Sequence, residues 1–175
     1  TGPTGGVGAT AIDILAGLGY EVSALTRKPE ESADFLKAMG ASDIVDARSI
    51  EMGTKPLEKA LWGGAVDNVG GDLLAWLTRT IRPWGNIASI GLAASHKLET
   101  TVMPFILRGV NLLGIHSVEM PMELRLRVWD KLSGEWKPQH LDTIGARTVS
   151  LDEVPAICED MVAGKVTGRT VVEFK

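Results

Sequence analysis

The sequence predicts an α/β protein built on a doubly wound parallel sheet, and three observations carry that expectation. Short, nearly all-apolar segments of strand length alternate with longer segments of helical period. Strands apolar on both faces must be covered on both faces, which is the condition of a parallel sheet wrapped by helices. A glycine-rich stretch, Thr1-Gly2-Pro3-Thr4-Gly5-Gly6-Val7-Gly8, opens the chain directly ahead of the first helical pattern. Glycines in such a turn let the backbone approach a phosphate, and the following helix aims its N-terminus at the anion. The stretch therefore reads as a pyrophosphate site. With 20 glycines in 175 residues, spaced runs also arise by chance, so the stretch gains its weight from the residues downstream of it.

The first helix places Val7, Ala11, Ile12, Leu15 and Leu18 on one face and stops at Leu18-Gly19, with Gly19 as the cap. Glu21 to Leu25 is a short buried strand closed by Thr26-Arg27-Lys28-Pro29. Pro29 suits the first turn of a second helix, which carries Phe35, Leu36 and Met39 inward and stops at Gly40. Ile44-Val45 forms the next strand and leaves through Asp46-Ala47-Arg48. Pro56 to Trp62 reads as a short helix ahead of the strand Ala65 to Val69. Gly70-Gly71-Asp72 turns into a helix with Leu73, Leu74, Leu77 and Ile81 on one side. Asn86 to Ile90 and then Leu112 to Ile115 are strands. After Pro121 a helix runs to about Leu132, and residues 134–145 are irregular. A last helix, Leu151 to Ala163, precedes a terminal strand, Thr170 to Phe174. A glycine turn of this kind conventionally follows a buried strand, so the chain reads as a fragment whose first strand and upstream domain are missing.

Composition narrows the class. Hydrophobic residues at 45% with 23% charged are ordinary for a soluble globular domain, and the length argues for one domain. A formal net charge of −4 with no Lys/Arg block argues against a nucleic-acid surface. The single cysteine, Cys158, excludes an internal disulfide and any Cys-rich zinc site, and is expected to pack on a helix face. No stretch has the length of a membrane helix, and no signal peptide is visible. A cytoplasmic location is the default expectation.

In a dinucleotide-binding sheet, the residue ending the second strand chooses the cofactor. A carboxylate there binds the ribose hydroxyls of NAD, whereas a basic residue accommodates the extra phosphate of NADP. Here the position holds Thr26-Arg27-Lys28, with no carboxylate until Glu30, and Arg48 closes the neighbouring strand. A hydroxyl beside cations suits a 2′-phosphate. The plainer alternative is that these are solvated loop charges; their placement after the glycine turn favours NADP(H).

Two enzyme superfamilies fit the opening. Thr1-Gly2-x-x-x-Gly6-x-Gly8 resembles the turn of short-chain dehydrogenases, which need a Tyr-x-x-x-Lys pair. The one tyrosine, Tyr20, is followed four residues on by Ala24, which excludes that family for this stretch. The remainder resembles the Rossmann-type cofactor domain of the medium-chain dehydrogenase/reductase superfamily. Matching pieces are Gly5-Gly6-Val7-Gly8, Met39-Gly40-Ala41-Ser42 and Asp67-Asn68-Val69-Gly70-Gly71. More specific are Pro56-Leu57-Glu58, Trp62-x-Gly64-Ala65-Val66-Asp67, the run Thr101 to Val110, Gly114-Ile115-x-Ser117-Val118 and Gly168-Arg169-Thr170-Val171-Val172. Together they resemble the zinc-free, NADPH-dependent acrylyl-CoA reductase subgroup, often called quinone oxidoreductases. Two departures stand out: Arg27 replaces a glycine usual in that subgroup, and His116 an aspartate. As a lone histidine, His116 reads as a loop residue rather than an acid catalyst.

The resemblance implies hydride transfer from NADPH to the β-carbon of an α,β-unsaturated thioester, with a proton added at the α-carbon. The expected cofactor-binding residues are Thr4, Gly5, Gly6 and Val7 in the turn; Thr26, Arg27, Lys28 and Arg48 at the phosphate; and Val69, Gly70, Gly91, Leu92 and Ile115 along the nicotinamide. Arg169 is read either as closing the site near the phosphates or a coenzyme A moiety, or as a surface arginine. No catalytic residue is assigned, since those of the subgroup lie mostly in the missing domain, and no metal site is expected. Residues 1–168 are expected to form the NADP-binding domain and 169–175 a strand returning toward the absent catalytic domain. A small-molecule substrate (acyl-CoA, enone or quinone), no nucleic acid, no membrane, and a homodimer through the apolar segment Val110 to Ile115 complete the expectation. A quinone or enone reductase of the same fold and a non-catalytic NADPH-binding module are the alternatives.

Overall fold

The structure, a computed structural model, describes residues 1–174. In chain order its elements are α1 (Gly6–Gly17), β1 (Ser23–Thr26), α2 (Pro29–Ala38), β2 (Asp43–Asp46), β3 (Trp62–Asp67), α3 (Gly71–Thr80), β4 (Ile81–Ser89) and α4 (Met103–Arg108). There follow β5 (Asn111–Gly114), α5 (Met122–Ser133), α6 (Leu141–Ile144), β6 (Arg147–Ser150), α7 (Val154–Val162) and β7 (Thr170–Glu173). The chain divides into two compact units. The middle unit holds Thr1–Gly2 with Ala47–Leu126; the end unit holds Pro3–Asp46 with the residues from Arg127 onward.

Every pairing between named strands is parallel, as the apolar strand pattern requires. In the middle unit β3, β4 and β5 form one sheet, with Asp67 opposite Ser89 and Ser89 opposite Gly114. The carboxyl ends of its three strands thus lie level, where ligands of open α/β sheets bind. Ile81 and Ile87 are fully buried, and α3 buries Leu73, Leu74, Trp76 and Leu77. In the end unit β1 pairs β2, with Thr26 opposite Asp46, and β6 pairs β7. Its core gathers Ala9, Ile12, Ala24, Leu36, Met39 and Ile144. Burial of a leucine such as Leu36 stabilises by about 1.5–3 kcal/mol.

Several expectations are corrected. The segment Pro56 to Trp62 is not helical, because its backbone is bonded elsewhere. Glu58 N–H donates to Arg79 O (3.1 Å), Leu61 N–H to Thr80 O (2.7 Å), and Arg108 Nη2 also reaches Glu58 O. Trp62 instead begins β3. Ile81 is not on the face of α3 but is the first residue of β4, since Pro83 two residues on cannot continue a helix. α1 buries Gly6, Gly8, Ala9, Ile12 and Asp13, while Val7 and Leu18 are 40% and 39% exposed. Small residues let α1 approach its neighbours along a face rotated from the one its larger apolar residues mark. Cys158 lies on α7 and is exposed, so it is not a packing residue within this chain. The helices α4 and α6 and the strand β6, each of six residues or fewer, were beyond the periodicity signal.

Candidate functional site

The end unit places its half of the expected residues around the N-terminus of α1. Gly5 caps the helix without any side-chain hydrogen bond, and no acidic residue stands in the first turn. The outward N–H groups of that turn are thus left for an outside acceptor, on the positive end of a 12-residue helix dipole. Against this turn lies the strand-like stretch Gly168-Arg169. Gly5 and Gly168 form a parallel bridge, and Gly168 N–H donates to Thr4 O at 2.8 Å. The guanidinium of Arg169 covers Gly6 so closely that a Cβ on Gly6 would sit 1.9 Å from Nη1 and 2.0 Å from Cζ. Any side chain there would displace the arginine. A cradle of open N–H groups beside a guanidinium fits a pyrophosphate anion.

At the carboxyl end of β1, Thr26 is buried and its Oγ1 accepts the Lys28 N–H at 3.1 Å, which folds the exit of the strand back on itself. Lys28 Nζ donates to Gly164 O at 3.0 Å and stands 3.6 Å from Glu31. Arg27 is exposed. Asp46, which ends β2 in register with Thr26, is a carboxylate that the cation pattern at the end of β1 gave no reason to single out; it has an interaction partner of its own. Arg48, exposed and also partnered, falls in the middle unit.

The middle unit holds its half of the expected residues by backbone. Asp67, fully buried at the end of β3, accepts the Thr1 hydroxyl (2.6 Å) on one oxygen and the Gly70 N–H (2.8 Å) on the other. Thr1 Oγ1 in turn accepts the Asn68 N–H, and Asn68 Nδ2 donates to Thr1 O. This network fixes the turn Asn68-Val69-Gly70, where Gly70 and Gly71 take φ of 72° and 61°, a region that favours glycine. The loop after β4 is stitched onto it: Ile90 and Gly91 donate to Asp67 O, Ala93 to Asn68 O, and Ala94 to Val69 O at 2.9 Å. Ile115 N–H donates to Ser89 O, which brings the exit of β5 to the same edge. Val69, Gly70, Gly91, Leu92 and Ile115 are therefore gathered on one sheet edge. Leu92 is 66% and Ile115 45% exposed, an apolar surface ready to be covered. His116 is exposed beside Glu119, at 3.4 Å.

Thr4, Gly5, Gly6, Val7 and Arg169 meet around the start of α1, and Thr26, Arg27 and Lys28 follow one another at the end of β1. Sequence reasoning missed the supports. Asp67 ended an apolar strand ahead of paired glycines, and Asp13 interrupted an apolar helix; both were visible signals of a buried carboxylate with a task. An open depression of about 360 Å³ between α2 and β2, lined by Pro29, Ala33, Lys37 and Ile44 among others, contains none of the expected site residues. Among the described residues no group of three or more His, Cys, Asp or Glu could hold a metal. Nor is any helix there long and apolar enough to cross a membrane.

Residues 6–133 match the family described as zinc-binding dehydrogenase. The chain is 44% identical over 174 residues to the acrylyl-CoA reductase AcuI of Ruegeria pomeroyi, covering 99% of this chain and 52% of that one. It is 45% identical over 175 residues to the Bacillus subtilis protein named quinone oxidoreductase YhfP, covering 99% and 53%. The crystal structure of that protein with NAD bound superposes with a TM-score of 0.92. The structure of YhdH from E. coli K-12 with bound NADPH gives 0.92 at 38% identity, covering 99% of this chain and 53% of that one. The chain spans about half the length of the curated relatives it matches.

Proposed function

Because the chain belongs to the zinc-binding dehydrogenase family, in the zinc-free, quinone-oxidoreductase-like branch of the medium-chain dehydrogenase/reductases, we propose that it is the NADPH-binding part of an acryloyl-CoA-type reductase. The observation that carries the cofactor reading is the uncapped start of α1 with Arg169 laid across Gly6, in the same unit as Thr26-Arg27-Lys28. The turn and Arg169 would hold the pyrophosphate, and Lys28 and Arg27 the 2′-phosphate; Arg48, in the middle unit, is a further cation expected to serve the cofactor. When bound, NADPH supplies the hydride that reduces the β-carbon of an α,β-unsaturated thioester. Val69, Gly70, Gly91, Leu92 and Ile115 orient the nicotinamide through backbone groups and exclude water with apolar side chains. No residue of this chain is assigned the proton transfer. In this reading residues 1–168 are the NADP-binding domain and 169–175 return toward a catalytic domain. The complete enzyme is a cytoplasmic homodimer joined through Val110 to Ile115.

A second reading, an NADPH:quinone or enone reductase, is favoured by the name of the 45%-identical Bacillus subtilis relative. The test is a fluorescence titration with NADPH and NADH in parallel, followed by turnover of acryloyl-CoA and of a quinone by the complete protein. The expected outcome is that NADPH binds more tightly than NADH, and that Lys28→Ala or Arg48→Ala costs about tenfold in NADPH affinity while leaving NADH unchanged. Equal binding of the two cofactors removes the NADP assignment. Turnover of the quinone alone selects the second reading, and binding without any turnover selects a non-catalytic module.

A further inference from the structure

A buried carboxylate far from any proposed reacting group is tied into the end unit in a way that core packing does not require. Asp13 lies on α1 with its side chain 2% exposed. Both its oxygens are used by one residue: His140 donates its main-chain N–H to Oδ2 at 2.9 Å and its ring Nδ1–H to Oδ1 at 2.8 Å. His140 is the N-cap of α6, and its carbonyl accepts from Ile144 N–H at 3.0 Å. Ile144 is buried in the core against α1, and its carbonyl faces the other way, toward the chain that meets the phosphate turn. Arg169 N–H donates to it at 2.6 Å, and a Cβ on Gly168, at φ 70°, would stand 2.3 Å from the same oxygen.

We propose that Asp13 and His140 are positioning residues for the cofactor's phosphate seat, acting through α6 and the Ile144 carbonyl to set the place of Gly168 and Arg169 over Gly6. The inference rests on the reading that this seat takes a dinucleotide phosphate. The carboxylate anchors α6 to the same helix whose N-terminus meets the anion, so both sides of the cradle are referred to α1. A leucine in place of Asp13 would fill the space but leave α6 without its anchor, since neither His140 donor would have an acceptor.

Two substitutions separate this role from bulk. In His140→Asn the side-chain amide nitrogen occupies the place of Nδ1; in His140→Gln it falls where Nε2 stands and cannot reach Asp13. Both keep the main-chain bond. Titrated with NADPH in the complete protein, His140→Asn should bind within about twofold of wild type and His140→Gln about tenfold more weakly. The penalty of His140→Gln should shrink in an Arg169→Ala background, because the guanidinium that the relay positions over Gly6 is then gone while the main-chain contacts of Gly168 and residue 169 remain. Equal affinities for the Asn and Gln variants overturn the proposal. So does an undiminished penalty without Arg169, or an Arg169→Ala protein that binds NADPH like wild type. A wild-type protein that does not bind NADPH instead refutes the function proposed above.

Discussion

The two halves of the expected residue set, one in each unit, are made of different materials. At the sheet edge of the middle unit, the expected residues are neutral, and the turn is set by one buried carboxylate, two left-handed glycines and a ladder of main-chain hydrogen bonds between loops. In the end unit, charge dominates: an uncapped helix start, Arg169 across Gly6, and Arg27 and Lys28 at the exit of β1. In the proposed reading, a flat nicotinamide with a polar carboxamide needs shape, fixed hydrogen-bonding groups and the exclusion of water, which rigid backbone supplies. A phosphate needs cations and N–H donors, which can be mounted on mobile side chains. The first half should therefore fail through stability and the second through affinity.

The largest effect is expected at Gly70. A Cβ there would stand 2.2 Å from the main-chain oxygen of Ser95, at a φ of 72° that L-residues avoid, so neither rotation nor a flexible neighbour relieves it. Gly70→Ala should cost roughly 3 kcal/mol and lower the melting temperature by about 6–12 °C. Gly114, at the end of β5, has nothing within 4 Å of its added Cβ, and Gly114→Ala should stay within about 0.5 kcal/mol. Thermal melts of the two variants check this. Equal losses would mean the edge is not held by its turn.

The counterpart in the charged half is Lys28→Ala. Its partners are a carbonyl at 3.0 Å and Glu31 at 3.6 Å, with the two side chains 45% and 73% exposed. Exposed pairs of this kind contribute about 0–1 kcal/mol, so the melting temperature should move by no more than about 4 °C. NADPH affinity should nonetheless fall, and its dependence on salt should weaken. A Lys28→Ala protein that melts as early as Gly70→Ala would erase the distinction between the halves.

Legibility in the sequence divides along the same line. The glycine turn, the apolar strands and the cluster Thr26-Arg27-Lys28 are local patterns: α1 begins in the glycine turn and β1 ends at Thr26, whereas β3 and β4 begin three and five residues ahead of the expected Ala65 and Asn86. The supports were not legible, because each pairs residues far apart in the chain. Thr1 with Asp67 and Asp13 with His140 are separated by 66 and 127 positions. Periodicity also misassigned the buried face of α1, because Gly8 and Ala9 carry little hydrophobic signal although they are what permits close packing. The segment Pro56 to Trp62 was misread because its backbone partners, Arg79 and Thr80, lie in α3. A helix forms only where the chain's own carbonyls are the best acceptors available.

The smallest expected effect lies away from both halves and serves as their baseline. Ser150 and Glu153 form a capping box at the turn leading into α7: Glu153 Oε2 accepts the Ser150 N–H at 2.8 Å and its hydroxyl at 2.7 Å. The main-chain bond first, and the hydroxyl second, hold the Glu153 carboxyl below its ordinary value of 4.5. A carboxylate with a depressed folded-state pKa contributes stability that is present above its unfolded value and lost as pH falls through the folded one. Wild type should therefore melt slightly above Glu153→Ala at pH 7, by an amount typical of a single exposed cap. The gap should begin to close only below the ordinary carboxylate value and be lost as pH falls through the lowered folded-state value. NADPH affinity at neutral pH should be unchanged, since neither the start of α1 nor Arg169 bonds to this turn among the contacts described. A gap that persists into acid would show that Glu153 acts through the packing of its methylenes, and not through its charge.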